Sequence, residues 1–234
     1  YKRQFQAICI GLGVFAIRRL KPQPPVAKKT ESPFKNIADG FKAIHKQPDI
    51  MQTLIINFTS SVFNAGAFMT VFPFIVKEIY NGDALLLSFL MVIFYAGAAV
   101  SNFLMIRLMP LVRLGRIFLV MQLSRMFILG IMWLQPAFWV FALACVGWGL
   151  NMGVTMTLAR TIVQESATAE FRARIMSVYS LGLLGSAPIG ALILGRVIDS
   201  LGILNALIPA MSISILLFLY GIIFTNVYEY RSPS

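Results

Sequence analysis

The 234 residues are 58% hydrophobic and 12% charged, with a formal net charge of +11 and a mean hydropathy of +0.79. A soluble domain carries about 25% charged residues, so this composition excludes an ordinary water-soluble core and leaves a bilayer as the solvent. The basic excess raises nucleic acid as a partner, and only the placement of the charges can decide that question.

The chain opens on Tyr1, and residues 5–17 form an apolar run that stops at Arg18 and Arg19. That run is short for a crossing, which needs roughly 20 apolar residues. Residues 1–19 therefore read as the end of a preceding transmembrane helix, with a larger segment expected before Tyr1. A signal peptide fits poorly, because the basic cluster follows the apolar run and no small-residue cleavage site does.

Residues 20–49 read as a cytoplasmic linker containing an amphipathic surface helix. Lys21-Pro22-Gln23-Pro24-Pro25 favours extended backbone. Ser32 before Pro33 is a helix start, Phe34, Ile37, Phe41 and Ile44 recur at helical spacing, and Pro48 ends the pattern. The helix would lie on the membrane surface or pack against the loops. His45 falls in this basic linker, where a solvated role is expected.

Six apolar runs follow, at 50–76, 84–106, 117–134, 137–159, 175–195 and 201–227. Each is long enough to cross a hydrocarbon core of about 30 Å as a helix. They are continuous, whereas barrel strands alternate apolar and polar residues. The fold class is thus an all-α membrane protein, a six-transmembrane-helix bundle over 50–227, with a cytoplasmic tail at 228–234.

Charge then gives the orientation. Arg18, Arg19, Lys21, Lys28, Lys29, Lys35, Lys42 and Lys46 precede the first run. Arg107, Arg113 and Arg116 follow the second, Arg160, Arg172 and Arg174 follow the fourth, and Arg231 lies in the tail. The opposite turns hold only Lys77 and Arg196. By the positive-inside rule the rich side is cytoplasmic, so the excess reports topology and attraction to anionic lipid, with no nucleic acid implied. The expected location is the plasma or inner membrane, multi-pass.

Cys9 and Cys145 sit in apolar surroundings, and no metal or cofactor is expected. The sequence has no His-Glu-x-x-His, no phosphate loop and no nucleophile with a convincing base, which argues against an enzyme. Gly182, Ser186 and Gly190, Gly97 with Ser101, and Gly149 with Gly153 form small-residue ladders suited to close helix packing. Pro73, Pro188 and Pro209 fall within the first, fifth and sixth runs as possible kinks.

The stretches IADGFKAIHKQPDI (37–50), RLMPLVRLGR (107–116) and VQESATAEFRARIMSVYSLGLLGSAPIGALILGRVIDSLG (163–202) together resemble the C-terminal half of a major facilitator superfamily transporter. The likeness is greatest to the branch holding the enterobactin exporter and the macrolide-efflux proteins. It implies helices seven to twelve of a twelve-helix fold, with a missing N-terminal six-helix half as partner. It also implies alternating access around a central cavity, and a secondary transporter, acting as an exporter, of a small hydrophobic or amphipathic molecule. A non-transporting receptor or scaffold is the rival reading.

In such transporters the first and fourth helices of each half line the cavity. Here they carry Asn57, Ser60, Ser61 and Asn64, and Trp148, Asn151 and Thr155. These neutral polar groups suit an amphipathic substrate, although they are also the residues that join membrane helices. Arg125 is the one charge inside a run. The resemblance puts its helix on the periphery, so snorkelling or bonding to carbonyls is expected. Arg107, Arg113 and Arg116 resemble a degenerate basic loop motif lacking its aspartate. With Glu165, Glu170, Arg172 and Arg174 they are the gating or loop candidates: Glu165 and Glu170 lie near Arg172 and Arg174 and would exchange salt bridges as helices tilt, while each residue taken singly reads as an ordinary topogenic arginine or solvated carboxylate. Every Asp and Glu maps to a loop or helix end, so no proton-carrying residue is assigned.

Overall fold

In the computed structural model, residues 33–108 and 111–232 are described, together with Gly11. The fold belongs to the unit formed by residues 34–234. The expected helix end in residues 1–19 and the proline-rich start of the linker lie outside the described residues.

Helix α1 (Pro33–His45) forms where the proline start and apolar spacing place it. It docks through Gly40, Ala43 and Ile44, which are buried, while Phe41 remains 55% exposed. Gly40 lies so close to the Arg174 carbonyl and the Val178 side chain that a Cβ would crowd both. A salt bridge of 3.4 Å between Asp39 and Arg174 closes the same contact.

Six apolar helices follow: α2 (Pro48–Ile79), α3 (Ala84–Leu108), α4 (Leu114–Trp133), α5 (Phe138–Ser166), α6 (Arg172–Leu201) and α7 (Ile208–Ile223). Helix α5 runs past the apolar limit at residue 159 to Ser166, because backbone hydrogen bonding continues beyond the apolar run. At the other end of α6, Gly202 adopts φ 88°, a conformation that favours glycine and stops the helix. Leu201 therefore belongs to α6, and a 3-10 turn, Asn205–Leu207, leads into α7.

Of the three prolines, Pro188 lies inside α6. Pro209 does not kink a helix, since it stands in the first turn of α7, where no amide partner is lost. Pro73 sits between two widened turns of α2, Ala67–Val71 and Ile75–Ile79. The Phe72 amide there reaches the Ala67 carbonyl five residues back, the local adjustment expected around a proline that cannot donate.

The glycine ladders join specific pairs. A Cβ at Gly149 would overlap the Phe94 carbonyl, and one at Gly153 would meet Ser101 and Ala98, so α3 and α5 pack backbone to backbone. Gly190 meets the Val62 carbonyl and Gly66 in the same way, and Gly182 receives the Phe58 ring, joining α2 to α6. In a bilayer the lipid is as apolar as the side chains, so such close approach is what drives association.

Two apolar clusters result. One gathers Ile50, Leu54, Leu114, Phe118, Leu158, Ile162, Ile175 and Val227. The other gathers Phe68, Phe72, Phe94, Leu129, Phe141, Trp148, Leu194 and Leu207. The first lies at the end carrying α1, the turn after α3, the turn between α5 and α6, and the tail, so the arginine-bearing turns share one end of the bundle. The Lys77–Glu78 pair, 3.2 Å apart, lies at the other end of α2.

Candidate functional site

Between the two apolar clusters lies a polar layer. Along α2 the order is Leu54 and Ile56, then Asn57 and Ser60, then Ala67 and Phe68. Along α4 it is Leu119, then Gln122 and Arg125, then Leu129. Along α5, running the other way, it is Trp148, then Asn151 and Thr155, then Leu158. All six polar residues of the layer are at most 4% exposed.

Arg125 is the hub. Its Nε donates to Asn151 Oδ1 at 3.0 Å and Nη2 to Thr155 Oγ1 at 3.2 Å, while Nη1 donates to Gln122 Oε1 at 3.1 Å and to Ser60 Oγ. Ser60 in turn donates to Gln122 Oε1 at 2.8 Å, and the Asn151 amide reaches the Met121 carbonyl at 2.7 Å and Ser124 Oγ at 2.8 Å. One guanidinium thus ties α4 to both α2 and α5.

The expectation of a peripheral, snorkelling Arg125 is overturned. The residue is 3% exposed and bonds to side-chain oxygens on three helices, because its neighbours at one level of α2 and α5 are the neutral acceptors that a buried cation needs. Gln122, three residues before Arg125 on the same helix, was missed by the sequence reading. The i, i+3 spacing of a polar residue and an arginine within an apolar run was the available signal.

The remaining candidates separate from this hub. Trp148 is 1% exposed, with its indole edge-on to Phe68 and Phe94 at 5.6 and 5.5 Å. Its Nε1 donates to Asn64 Oδ1 at 2.6 Å. Asn64 and Ser61 are half-exposed, so the aromatic cluster fixes the rotamer of an amide that reaches the bundle surface. Asn57 is buried, and its Nδ2, like Gln122 Nε2, has no hydrogen-bond partner among the described residues.

The loop candidates divide three ways. Arg107 lies over the Phe103 ring at 5.1 Å and Arg116 over Tyr228 at 5.3 Å, and Arg113 is exposed. Glu165 accepts from Tyr230 Oη at 3.3 Å and Ser232 Oγ at 2.9 Å, holding the tail. Burial, the leading influence, raises the Tyr230 pKa above its ordinary 10, so its hydroxyl stays protonated. Arg172 donates to the Ala167 carbonyl at 3.3 Å, Arg174 meets Asp39, and Glu170 is exposed.

Six apolar helices with a buried polar layer at mid-height define a multi-pass membrane protein. The family model described as Major Facilitator Superfamily matches residues 5–191. The chain belongs to that superfamily, whose members are membrane transporters. No curated protein matches it.

Proposed function

We propose that the six spans serve as the C-terminal half of a twelve-helix secondary transporter. It exports a small hydrophobic or amphipathic molecule across the plasma or inner membrane by alternating access. An N-terminal six-helix half would supply the facing wall, and membrane lipid would surround both. The direction and the substrate class rest on the likeness of residues 37–50, 107–116 and 163–202 to exporters.

The observation that carries this reading is the Asn64–Trp148 pair. A neutral amide, half-exposed and held by a buried indole at 2.6 Å, is a pre-set polar contact on an otherwise apolar wall. Asn64 and Ser61 would touch the substrate. Ser60, Asn151 and Thr155 would act through Arg125, setting the spacing of α2, α4 and α5 beneath that wall, with Asn57 beside them. The buried amides left unpaired in the layer would find partners when the helices shift between states.

The test is export of candidate drugs and siderophores from cells carrying the whole gene. Asn64→Ala should reduce export of a transported compound by about tenfold, since an orphaned indole N–H and a lost substrate contact together cost about 1.5 kcal/mol. Export equal to that of the unmodified protein would remove Asn64 from the site.

A further inference from the structure

Three arginines from two segments, the start of α4 and the tail, line one cavity at the basic end of the bundle. Arg113 comes from the turn before α4, Arg116 from its first turn and Arg231 from the tail. Tyr228 and Glu229 complete the lining of a space of about 460 Å³. All three arginines are exposed, and Glu229 is the one carboxylate in the lining.

The charge here is concentrated where a helix least tolerates it. The first turn of α4 contains no acidic residue and no side-chain cap, while its aligned peptide dipoles already favour an anion over a cation. Like charges brought together beside that terminus repel one another. A bound anion removes the repulsion.

The cavity is also a built feature. The Gly115 amide donates to the Tyr230 carbonyl at 3.4 Å, and the Ser232 amide to the Val112 carbonyl at 3.0 Å. Tyr230 and Ser232 both hold Glu165 on α5, and Gly115 lies so close to the Val227 carbonyl that no Cβ would fit. The tail therefore carries Arg231 back to the start of α4. The tail residues of the cavity lie beyond the family match, which ends at residue 191.

We propose that this cavity binds a phosphate-bearing anion. Guanidinium groups match phosphate oxygens in pairs, and the stacking of Arg116 on Tyr228 at 5.3 Å leaves the edge of its fork free to donate. The phosphate comes either from an anionic lipid headgroup, since the apolar run of α4 begins beside the cavity, or from a soluble phosphate. This binding does not depend on what the bundle carries.

The test uses the whole protein purified in detergent. Its melting temperature is followed against short-chain phosphatidylglycerol, short-chain phosphatidylcholine and inorganic pyrophosphate. Phosphatidylglycerol or pyrophosphate should bind more tightly than phosphatidylcholine. A response to phosphatidylglycerol alone assigns the source to the membrane, and a response to pyrophosphate shows that soluble phosphate suffices.

Replacing Arg113, Arg116 and Arg231 by Gln should weaken binding roughly fivefold per arginine, while Lys42→Gln on α1 with Lys46→Gln in the turn after it should leave it unchanged. Glu229→Gln keeps every arginine and removes the opposing charge, so it should tighten binding about threefold. Unaltered affinity in the arginine variants, no tightening in Glu229→Gln, or equal binding of all three probes would overturn the assignment.

Discussion

A buried guanidinium in a membrane protein is costly, and the acceptors around Arg125 show how the cost is met. Apart from Asp39 on the surface helix α1, the described carboxylates stand at helix ends or in loops, so the charge is spread over neutral oxygens of Ser60, Gln122, Asn151 and Thr155. Interhelical hydrogen bonds in membranes contribute about 0.6 to 2 kcal/mol each, and those to Ser60, Asn151 and Thr155 cross between helices. Arg125→Ala should therefore lower stability by about 2 to 4 kcal/mol, read from unfolding in mixed detergent. Arg125→Lys keeps the charge but not the planar fork, and it should recover less than half of that loss. Full recovery by lysine would mean that charge alone, and not the bridging geometry, holds the layer together.

At the scale of helices, the pairings α3–α5 and α2–α6 rest on glycine. Gly149→Leu and Gly190→Leu place side chains into the Phe94 and Val62 carbonyls, and overpacking of this kind costs about 1–3 kcal/mol or more. Leucine at Gly185 or Gly195, where nothing lies within 4 Å, should change stability by less than about 0.5 kcal/mol. Comparable losses at all four positions, measured by thermal unfolding, would contradict the packing described.

These ladders were legible in the sequence because small residues four apart fall on one helix face. So were α1 and the six spans, since length and hydropathy are local properties. The partners of Arg125 were not legible, because they depend on which faces of α2, α4 and α5 meet, and that is decided by packing between residues 26 to 65 apart in the chain. The contacts of the tail were not legible for the same reason, since Tyr230 and Ser232 reach Glu165 across more than sixty residues. Pro209 illustrates the reverse error: an isolated proline in an apolar run is ambiguous until Gly202 is seen to end the previous helix.

Among the described residues the bundle as a whole has a basic end, a polar mid-layer and an aromatic end, and only the half-buried Ser61 and Asn64 bring the polarity of the candidate stripe toward its surface. A bundle built only as a scaffold needs no such surface, whereas one wall of a solute pathway requires it to be reachable from each side in turn. The most direct measurement is the reactivity of a cysteine at Asn64, in the whole protein with Cys9 and Cys145 replaced by Ala, toward an impermeant thiol reagent added to either face of the membrane. The account predicts labelling from both faces, with the two rates shifting in opposite directions when a transported compound is added. Labelling from one face only, at a rate that no compound alters, would contradict it.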